Sequence, residues 1–320
     1  MSVLITGADG FIGAHLTGRL ADRQPRLLVR RDADGQRRVL GDLSDAASLV
    51  RACDGVHTVF HCAGHAHAFK SRGEIEARKQ WAINFEGTRN LIEAAGQAGV
   101  SRFVHLSSVK AMAEPADACA DEDWPGEPDT DYGRAKRAAE ACVAERAEYF
   151  GMHAVNLRLS MVYGPGGRGN LERMIALVRR GVFPLLPETG NRRSLVYVDD
   201  LIDAMLLAGE HPQARGTYIV ADPQAYSGRQ ILDAIRAATG RPARHWAVPR
   251  FVMEAAAAAG DVLTQLTGRP MPLTRESLSK LLGSAWYDAG RIQRELGWQA
   301  RTSLPMGLAA CVANNDRDRQ

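Results

Sequence analysis

Ser2-Val3-Leu4-Ile5-Thr6-Gly7-Ala8-Asp9-Gly10-Phe11-Ile12-Gly13 is the stretch that decides the fold of this chain. Ser2 to Thr6 is a short apolar run rich in branched side chains, which reads as a buried parallel strand. Gly7, Gly10 and Gly13 then lead into a helical pattern through Leu16 and Leu20. Glycines permit a tight turn and let the backbone approach an anion at a helix N-terminus, where unpaired amides favour negative charge. The spacing is Gly-x-x-Gly-x-x-Gly rather than the commoner Gly-x-Gly-x-x-Gly, and a plain strand–helix turn would also account for it. Strand, glycine turn and helix in this order favour a dinucleotide pyrophosphate.

Outward from this start, Arg26-Leu27-Leu28-Val29 reads as a second strand and ends in Arg30-Arg31. An acidic residue there would bind the ribose 2′-hydroxyl of NAD, whereas arginine suits the 2′-phosphate of NADP. Two solvated loop charges are the alternative. Strands and helices continue to alternate through the first half, which predicts an α/β fold: a doubly wound parallel sheet of Rossmann type. Gly41-Asp42-Leu43-Ser44-Asp45 reads as a strand end and helix cap, and Val56 to Gly64 as a buried strand running into a small-residue turn. Arg102 to Ser108 is a strand ending in two serines, so Ser108 lies at the carboxyl edge where such sheets bind ligands.

Residues 114–131 carry eight acidic residues and three prolines and read as an irregular loop. A strand over Ala154 to Leu159 and the run Val162-Tyr163-Gly164-Pro165-Gly166-Gly167 close the regular alternation. The expected organisation is a dinucleotide-binding domain over 1–165 with a return segment at about 192–221. A smaller, discontinuous substrate-binding lobe spans 166–191 and 222–312, and 313–320 is a polar tail expected to fray. The chain is expected to rejoin the main sheet near Leu195-Val196-Tyr197-Val198-Asp199-Asp200 and its following helix.

Tyr132-Gly133-Arg134-Ala135-Lys136 places a tyrosine and a lysine one turn apart on one helix face. A free phenol ionises near pH ~10, and a neighbouring ammonium is expected to lower that value. Such a tyrosine can pass a proton to or from a sugar or steroid hydroxyl while a nicotinamide exchanges hydride. The pair alone is common on helices; the glycine turn and Ser108 give it weight.

Length and composition bound the rest. The 320 residues can bury a full core, and a formal net charge of +3 is too balanced to imply nucleic-acid or membrane binding. Cys53, Cys62, Cys119, Cys142 and Cys311 are odd in number, scattered and without a Cys-x-x-Cys pair, which argues against a disulfide framework or a zinc site. His61, His65 and His67 crowd one turn, but without a partnering carboxylate or cysteine nearby in sequence they read as core or loop histidines. Phe251 to Leu266 carries Glu254 and Asp261, too polar for a membrane-spanning helix, and reads as lobe packing, with a membrane or partner interface as the alternatives. With a strand beginning at residue 2, no signal peptide is expected and a cytoplasmic protein is the simplest reading.

Taken together, these motifs resemble the NAD-dependent epimerase/dehydratase family of extended short-chain dehydrogenases/reductases, over nearly the whole length. The residues that carry the resemblance are Thr6 to Gly13, Asp42-Leu43, His61-Cys62-Ala63-Gly64, Asn84-x-x-Gly87-Thr88, Ser107-Ser108, Tyr132-x-x-x-Lys136 and Tyr163-Gly164-Pro165-Gly166. Arg193 to Leu201 and Glu295-Leu296-Gly297-Trp298 complete the set. The resemblance implies that Gly7, Gly10, Phe11, Ile12 and Gly13 cradle the cofactor pyrophosphate. Asp42 and Leu43 would meet adenine, Ala63 and Gly64 would border the ribose and nicotinamide, and Asn84 would hold the helix and cofactor in place. It further implies Ser108 and Tyr132 as the catalytic pair, and Lys136 as a ligand of the nicotinamide ribose that tunes the tyrosine. Asn170 and Leu171 fall where the family binds the nucleotide diphosphate, and Arg193 matches an arginine pairing with it. Asn170 also suits a helix N-cap, and Arg193 also suits a surface charge beside Arg192.

The implied substrate is a nucleotide-diphospho sugar, UDP-linked, with no nucleic-acid partner and no membrane insertion; a homodimer through the helices around the tyrosine segment is also implied. Reduction of a UDP-4-keto-6-deoxy-HexNAc with NADP, for surface polysaccharide synthesis, stands beside 4-epimerisation with tightly held NAD. The family's dehydratases carry an acid pair after the catalytic Ser/Thr; Val109-Lys110 occupies that place, which disfavours dehydration. Ser160-Met161 and Ala66 depart from the family's pattern near the sugar pocket and leave the particular sugar open. A cofactor-sensing regulator without catalysis is a third reading, disfavoured by the intact Ser108, Tyr132 and Lys136.

Overall fold

The computed structural model describes residues 2–31, 37–65, 73–167, 169–242, 244, 246–268, 271 and 273–317, without the side chains of Lys280 and 315–317. Ala66 and His67 therefore lie outside the described residues. The first half runs β1 (Val3–Thr6), α1 (Phe11–Arg19), β2 (Arg26–Val29), β3 (Arg38–Leu40), α2 (Ala46–Cys53) and β4 (Thr58–His61). It continues through α3 (Glu74–Trp81), a π-helical turn over Ala82–Glu86, α4 (Gly87–Gln97), β5 (Arg102–Ser108), β6 (Cys119–Ala120), α5 (Asp131–Phe150) and β7 (His153–Leu159). The second half holds β8 (Met161–Tyr163), α6 (Asn170–Arg180), β9 (Leu195–Tyr197), α7 (Val198–Glu210), β10 (Gly216–Val220) and α8 (Gly228–Ala238). It ends with α9 (Arg250–Thr267), α10 (Arg275–Leu282), β11 (Trp286–Tyr287), α11 (Gly290–Leu296) and α12 (Leu304–Arg317).

A seven-stranded sheet in the order β10-β7-β5-β4-β1-β2-β3 forms the centre, and every pairing in it is parallel. β1 and β4 are buried at every position, as expected of strands covered by helices on both faces. One face packs Val3, Ile5, Phe60 and Val104 against Leu201, Ile202 and Met205 of α7. The other packs Leu4, Val59 and Phe103 against Leu49 of α2, Leu91 and Ile92 of α4, and Val143 of α5. A third core gathers Leu171, Met174 and Ile175 of α6, Ile231 and Leu232 of α8, Met253 of α9, and Leu304 and Leu308 of α12.

The sequence expectation for where the chain rejoins the sheet is corrected. Leu195–Tyr197 pairs only with Met161–Tyr163 in a separate two-stranded sheet, and it is Gly216–Val220 that adds to the edge of the main sheet beside β7. The helix that follows, α7, does pack on the main sheet, through Leu201, Ile202 and Met205. The acidic loop is also more ordered than its composition suggests: Cys119–Ala120 pairs with Trp286–Tyr287, and Glu122 is buried, accepting the Ile219 amide at 2.8 Å. The last helix continues to Arg317, past the point where fraying was expected.

Candidate active site

The carboxyl ends of β1, β4, β5 and β7 meet where Ser108 pairs in register with Leu159. Ser108 ends β5; its side-chain oxygen accepts the Lys110 amide at 3.2 Å and also hydrogen-bonds the Tyr132 hydroxyl. Thr130 caps α5 by accepting the Gly133 amide at 3.0 Å, which starts the helix one residue before Tyr132. Gly133 lets that first turn sit directly on β5: a Cβ there would lie 2.1 Å from the Lys110 carbonyl oxygen. A backbone cap and one missing methyl group thus bring Tyr132 to Ser108.

Lys136, only 3% exposed, donates from Nζ to the Leu106 carbonyl at 2.7 Å. The expectation that it lowers the tyrosine's pKa is corrected. Burial raises Tyr132 above its usual value, and the group working against that rise is Ser108 through its hydrogen bond. Burial pulls Lys136 itself down to about 8, against the opposing pull of Glu140 and then Cys62. Below it lies a buried ionic support: Arg158 binds Glu140 through both Nε and Nη2, at 3.0 and 2.7 Å, and Ser107 donates to the same carboxylate. Glu140 and Arg158 were invisible as a pair in sequence, although Glu140 repeats the four-residue spacing from Lys136.

The glycine turn lies on the adjacent edge. Gly7 has φ +68°, and a Cβ on it would sit 2.6 Å from the Ala63 amide nitrogen. A Cβ on Gly13 would sit 2.1 Å from the Gly7 oxygen, so the glycines allow β1, β4 and α1 to close on one another. Gly10 is the N-cap of α1 and has no side chain to cap it, so the Phe11, Ile12 and Gly13 amides open the helix as an anion cradle. Phe11 packs against the lobe core and Ile12 against the sheet core, which fixes the helix start between them. This geometry fits a dinucleotide pyrophosphate.

His61, Ala63, Gly64 and Asn84 join this edge to Lys136. Thr88 donates to the Asn84 carbonyl at 2.8 Å, so His61 Nε2–H donates to Thr88 at 2.9 Å, and His61 Nδ1 accepts from Thr6 at 2.7 Å. His61 is thus a neutral core histidine, its pKa pulled to about 3 by burial and then by Lys136. Asn84 sits in the π-helical turn, fully buried, and clamps the His65 backbone by accepting its amide at 2.9 Å and donating to its carbonyl at 3.0 Å. Gly64 lies between Asn84 Oδ1 and Lys136 Nζ. Contrary to the reading of the histidine turn, His65 does meet a carboxylate, Glu76 at 2.7 Å. Among the described residues no cluster of His, Cys, Asp and Glu is suited to a metal.

The remaining candidates spread around this centre. Asp42 accepts from the Ser44 hydroxyl and amide, which with Arg30 holds its carboxyl below the usual range, and Leu43 packs against Gly87. Arg30 and Arg31 are exposed. Arg38, which sequence reading passed over, reaches the glycine turn at 3.7 Å from Asp9. Asn170 is not the N-cap of α6: Gly169 is, its amide bonded to Glu172 at 2.8 Å, so Asn170 is exposed in the first turn and Leu171 is buried in the lobe core. Arg193 donates to the Gly283 carbonyl at 3.0 Å, and burial depresses its pKa against Tyr287 and Glu114, so it is no free surface charge. The hydroxyl of Ser160, next in chain to the register partner of Ser108, is buried with no hydrogen-bond partner among the described residues.

The comparisons with known proteins agree with this geometry. Residues 3–221 match the model of the NAD dependent epimerase/dehydratase family. The chain is 27% identical over 318 residues to the UDP-glucose 4-epimerase of Vibrio cholerae, covering 96% of this chain and 93% of that protein. It is 31% identical over 338 residues to sterol demethylase protein B of Methylococcus capsulatus, covering 98% of each. Among solved structures, MoeE5 in complex with UDP-glucuronic acid and NAD superposes with a TM-score of 0.76 at 27% identity, over 99% of this chain and 100% of that one. The chain belongs to the NAD-dependent epimerase/dehydratase family, whose members include nucleotide-sugar epimerases that share its Rossmann-type sheet.

Proposed function

We propose that the protein reduces the 4-keto group of a UDP-linked 6-deoxy-HexNAc with NADPH, in the synthesis of surface polysaccharide. A nicotinamide dinucleotide held on the Gly7–Gly13 turn would supply the hydride. The chain's own residues handle the proton and the oxygen. Ser108 hydrogen-bonds the sugar oxygen, and Tyr132 gives it the proton as the carbonyl becomes a hydroxyl. The observation that carries this reading is the pairing of Tyr132 with Ser108, where desolvation raises the phenol above its usual pKa and leaves it a proton donor beside the serine hydroxyl. Lys136 would bind the nicotinamide ribose across Gly64, while Asp42, Leu43, Ala63 and Asn84 line the remaining cofactor path.

Arg30 beyond the end of β2, with Arg31 and the neighbouring Arg38, supports NADP over NAD through attraction for a 2′-phosphate. Arg193, with Asn170 at the α6 N-terminus, supports a diphosphate-bearing substrate, which a sterol is not. The relative named a UDP-glucose 4-epimerase favours a second reading, 4-epimerisation with NAD retained through the cycle.

Purified enzyme incubated with UDP-4-keto-6-deoxy-HexNAc and NADPH, or NADH in parallel, separates the two. Loss of reduced-nicotinamide absorbance, faster with NADPH, is the expected result. No loss with either overturns the reductase, and NAD released on denaturation together with UDP-hexose epimerisation establishes the second reading. Tyr132→Phe, expected to bind NADPH normally but turn over ~10²–10⁴-fold more slowly, tests whether the site is catalytic at all.

A further inference from the structure

Lys136 and Glu140 lie one turn apart on α5 and are bound to successive residues of one strand. Lys136 donates to the Leu106 carbonyl at 2.7 Å, and the Ser107 hydroxyl donates to the Glu140 carboxylate. Residues four apart on a helix have Cβ atoms about 5–6 Å apart, so ammonium and carboxylate lie close together against the end of β5. Both are buried, and without water to screen them charges at this range act strongly on each other. Arg158 keeps the carboxylate in place: it binds Glu140 through Nε and Nη2, and its Nη1 is anchored on the Glu122 carbonyl at 2.9 Å.

The other neighbours of the ammonium bring no negative charge near neutral pH. β4 contributes His61 and Cys62, and β5 contributes His105. Burial holds both imidazoles neutral, His61 at about 3 and His105 well below its ordinary value, and pushes the Cys62 thiol up to about 12. On α5 itself burial keeps the Tyr132 phenol protonated, and the π-helical turn offers the Asn84 amide across Gly64. Acids on the other segments packed against α5 are engaged elsewhere: Glu76 of α3 with His65, Glu93 of α4 with Arg146, and Glu114 with Lys110 beyond β5. Burial works to strip the proton from Lys136, and Glu140 is the main group opposing it.

We propose that Glu140, whose carboxylate bonds Ser107 and Arg158 beneath the site, is a positioning residue that keeps the ammonium of Lys136 charged for the nicotinamide ribose. The proposal rests on the reading of Lys136 as the ribose ligand, and it does not depend on which sugar the enzyme takes. Arg158 has the opposite effect on the lysine. It holds the carboxylate still, but its own positive charge offsets part of the field that Lys136 feels.

NMR of the free enzyme labelled at lysine Cε, with the signal assigned through Lys136→Met, follows the titration of Lys136 directly. The wild-type midpoint is expected at about 8. In Glu140→Gln it should fall by at least about one pH unit, and in Arg158→Met, which strips the same pair from its other side, it should rise. A merely structural pair would move both variants the same way or neither. NADPH, followed by fluorescence, should bind Glu140→Gln about fivefold more weakly than wild type at a pH of about 8, and equally well at a pH of about 6, where both lysines are charged. A midpoint that stays in place in Glu140→Gln, or that shifts in the same direction in both variants, overturns the proposal. If Arg158→Met does not fold, the midpoint of Glu140→Gln decides it alone. Opposite shifts without the loss of NADPH affinity would uphold the role of Glu140 and refute Lys136 as the ribose ligand.

Discussion

The ammonium of Lys136 points at the carbonyl of Leu106, 2.7 Å away, one turn along α5 from a tyrosine whose hydroxyl is bonded to Ser108. Lysine and tyrosine share a helix face but serve different partners. The lysine is tied to the end of β5 and faces the cofactor edge, and the tyrosine faces the place where a substrate oxygen would sit.

Lys136 makes folding stability depend on alkaline pH. Its pKa is about 8 in the fold against 10.5 for an ordinary lysine, so between these values the unfolded chain carries a proton that the folded chain has shed. Its contribution to stability therefore rises with pH across that window and is least favourable below about 8. Urea unfolding of wild type and Lys136→Met at both ends of the window should show the wild type gaining on the order of 1–3 kcal/mol relative to the variant. A difference independent of pH would contradict the buried, depressed lysine.

Ser108 is the group that holds down the rise of Tyr132. In Ser108→Ala the phenol should ionise at still higher pH, so the alkaline limb of kcat moves up while kcat itself falls ~10²-fold. A limb that stays in place would mean that Tyr132 does not set it.

Gly133→Ala should separate Tyr132 from Ser108. The added Cβ starts 2.1 Å from the Lys110 oxygen, and a backbone carbonyl cannot yield as a flexible side chain can, so the first turn of α5 must lift. A loss of roughly 1–3 kcal/mol in stability and ~10²-fold in kcat is expected. Wild-type kcat in this variant would show that the close packing does not position the tyrosine.

Arg158→Met leaves Glu140 buried at 5% exposure with Ser107 as its one remaining side-chain hydrogen-bond donor among the described residues. Breaking a buried pair on one side costs about 3–5 kcal/mol, far more than losing a surface pair. Urea denaturation measures it, and a cost below ~1 kcal/mol would place the pair in much wetter surroundings than its burial indicates.

The glycine turn, the alternation and the Tyr132–Lys136 spacing were legible because each is a local rule: a backbone that needs glycine, a strand buried on both faces, a helix with a fixed repeat. What escaped the sequence depends on distant segments. Glu122 looked like one acid among eight until the fold laid it beside the Ile219 amide. Glu140 and Arg158 lie on an α-helix and a strand 18 residues apart. His65 found Glu76 eleven residues on, in the first turn of α3. Asn170 lost the cap to Gly169 because Glu172 reaches back to that amide. The tyrosine pKa went the other way because burial outweighs the Ser108 hydrogen bond, while the lysine is engaged by the Leu106 carbonyl.

The most direct test of hydride delivery to the sugar's C4 uses NADPH carrying deuterium at the nicotinamide C4, with UDP-4-keto-6-deoxy-HexNAc as acceptor. NMR of the product should find deuterium bonded to sugar C4, with wild type forming it and Tyr132→Phe forming almost none. Product without deuterium, or with deuterium at another carbon, would contradict the account.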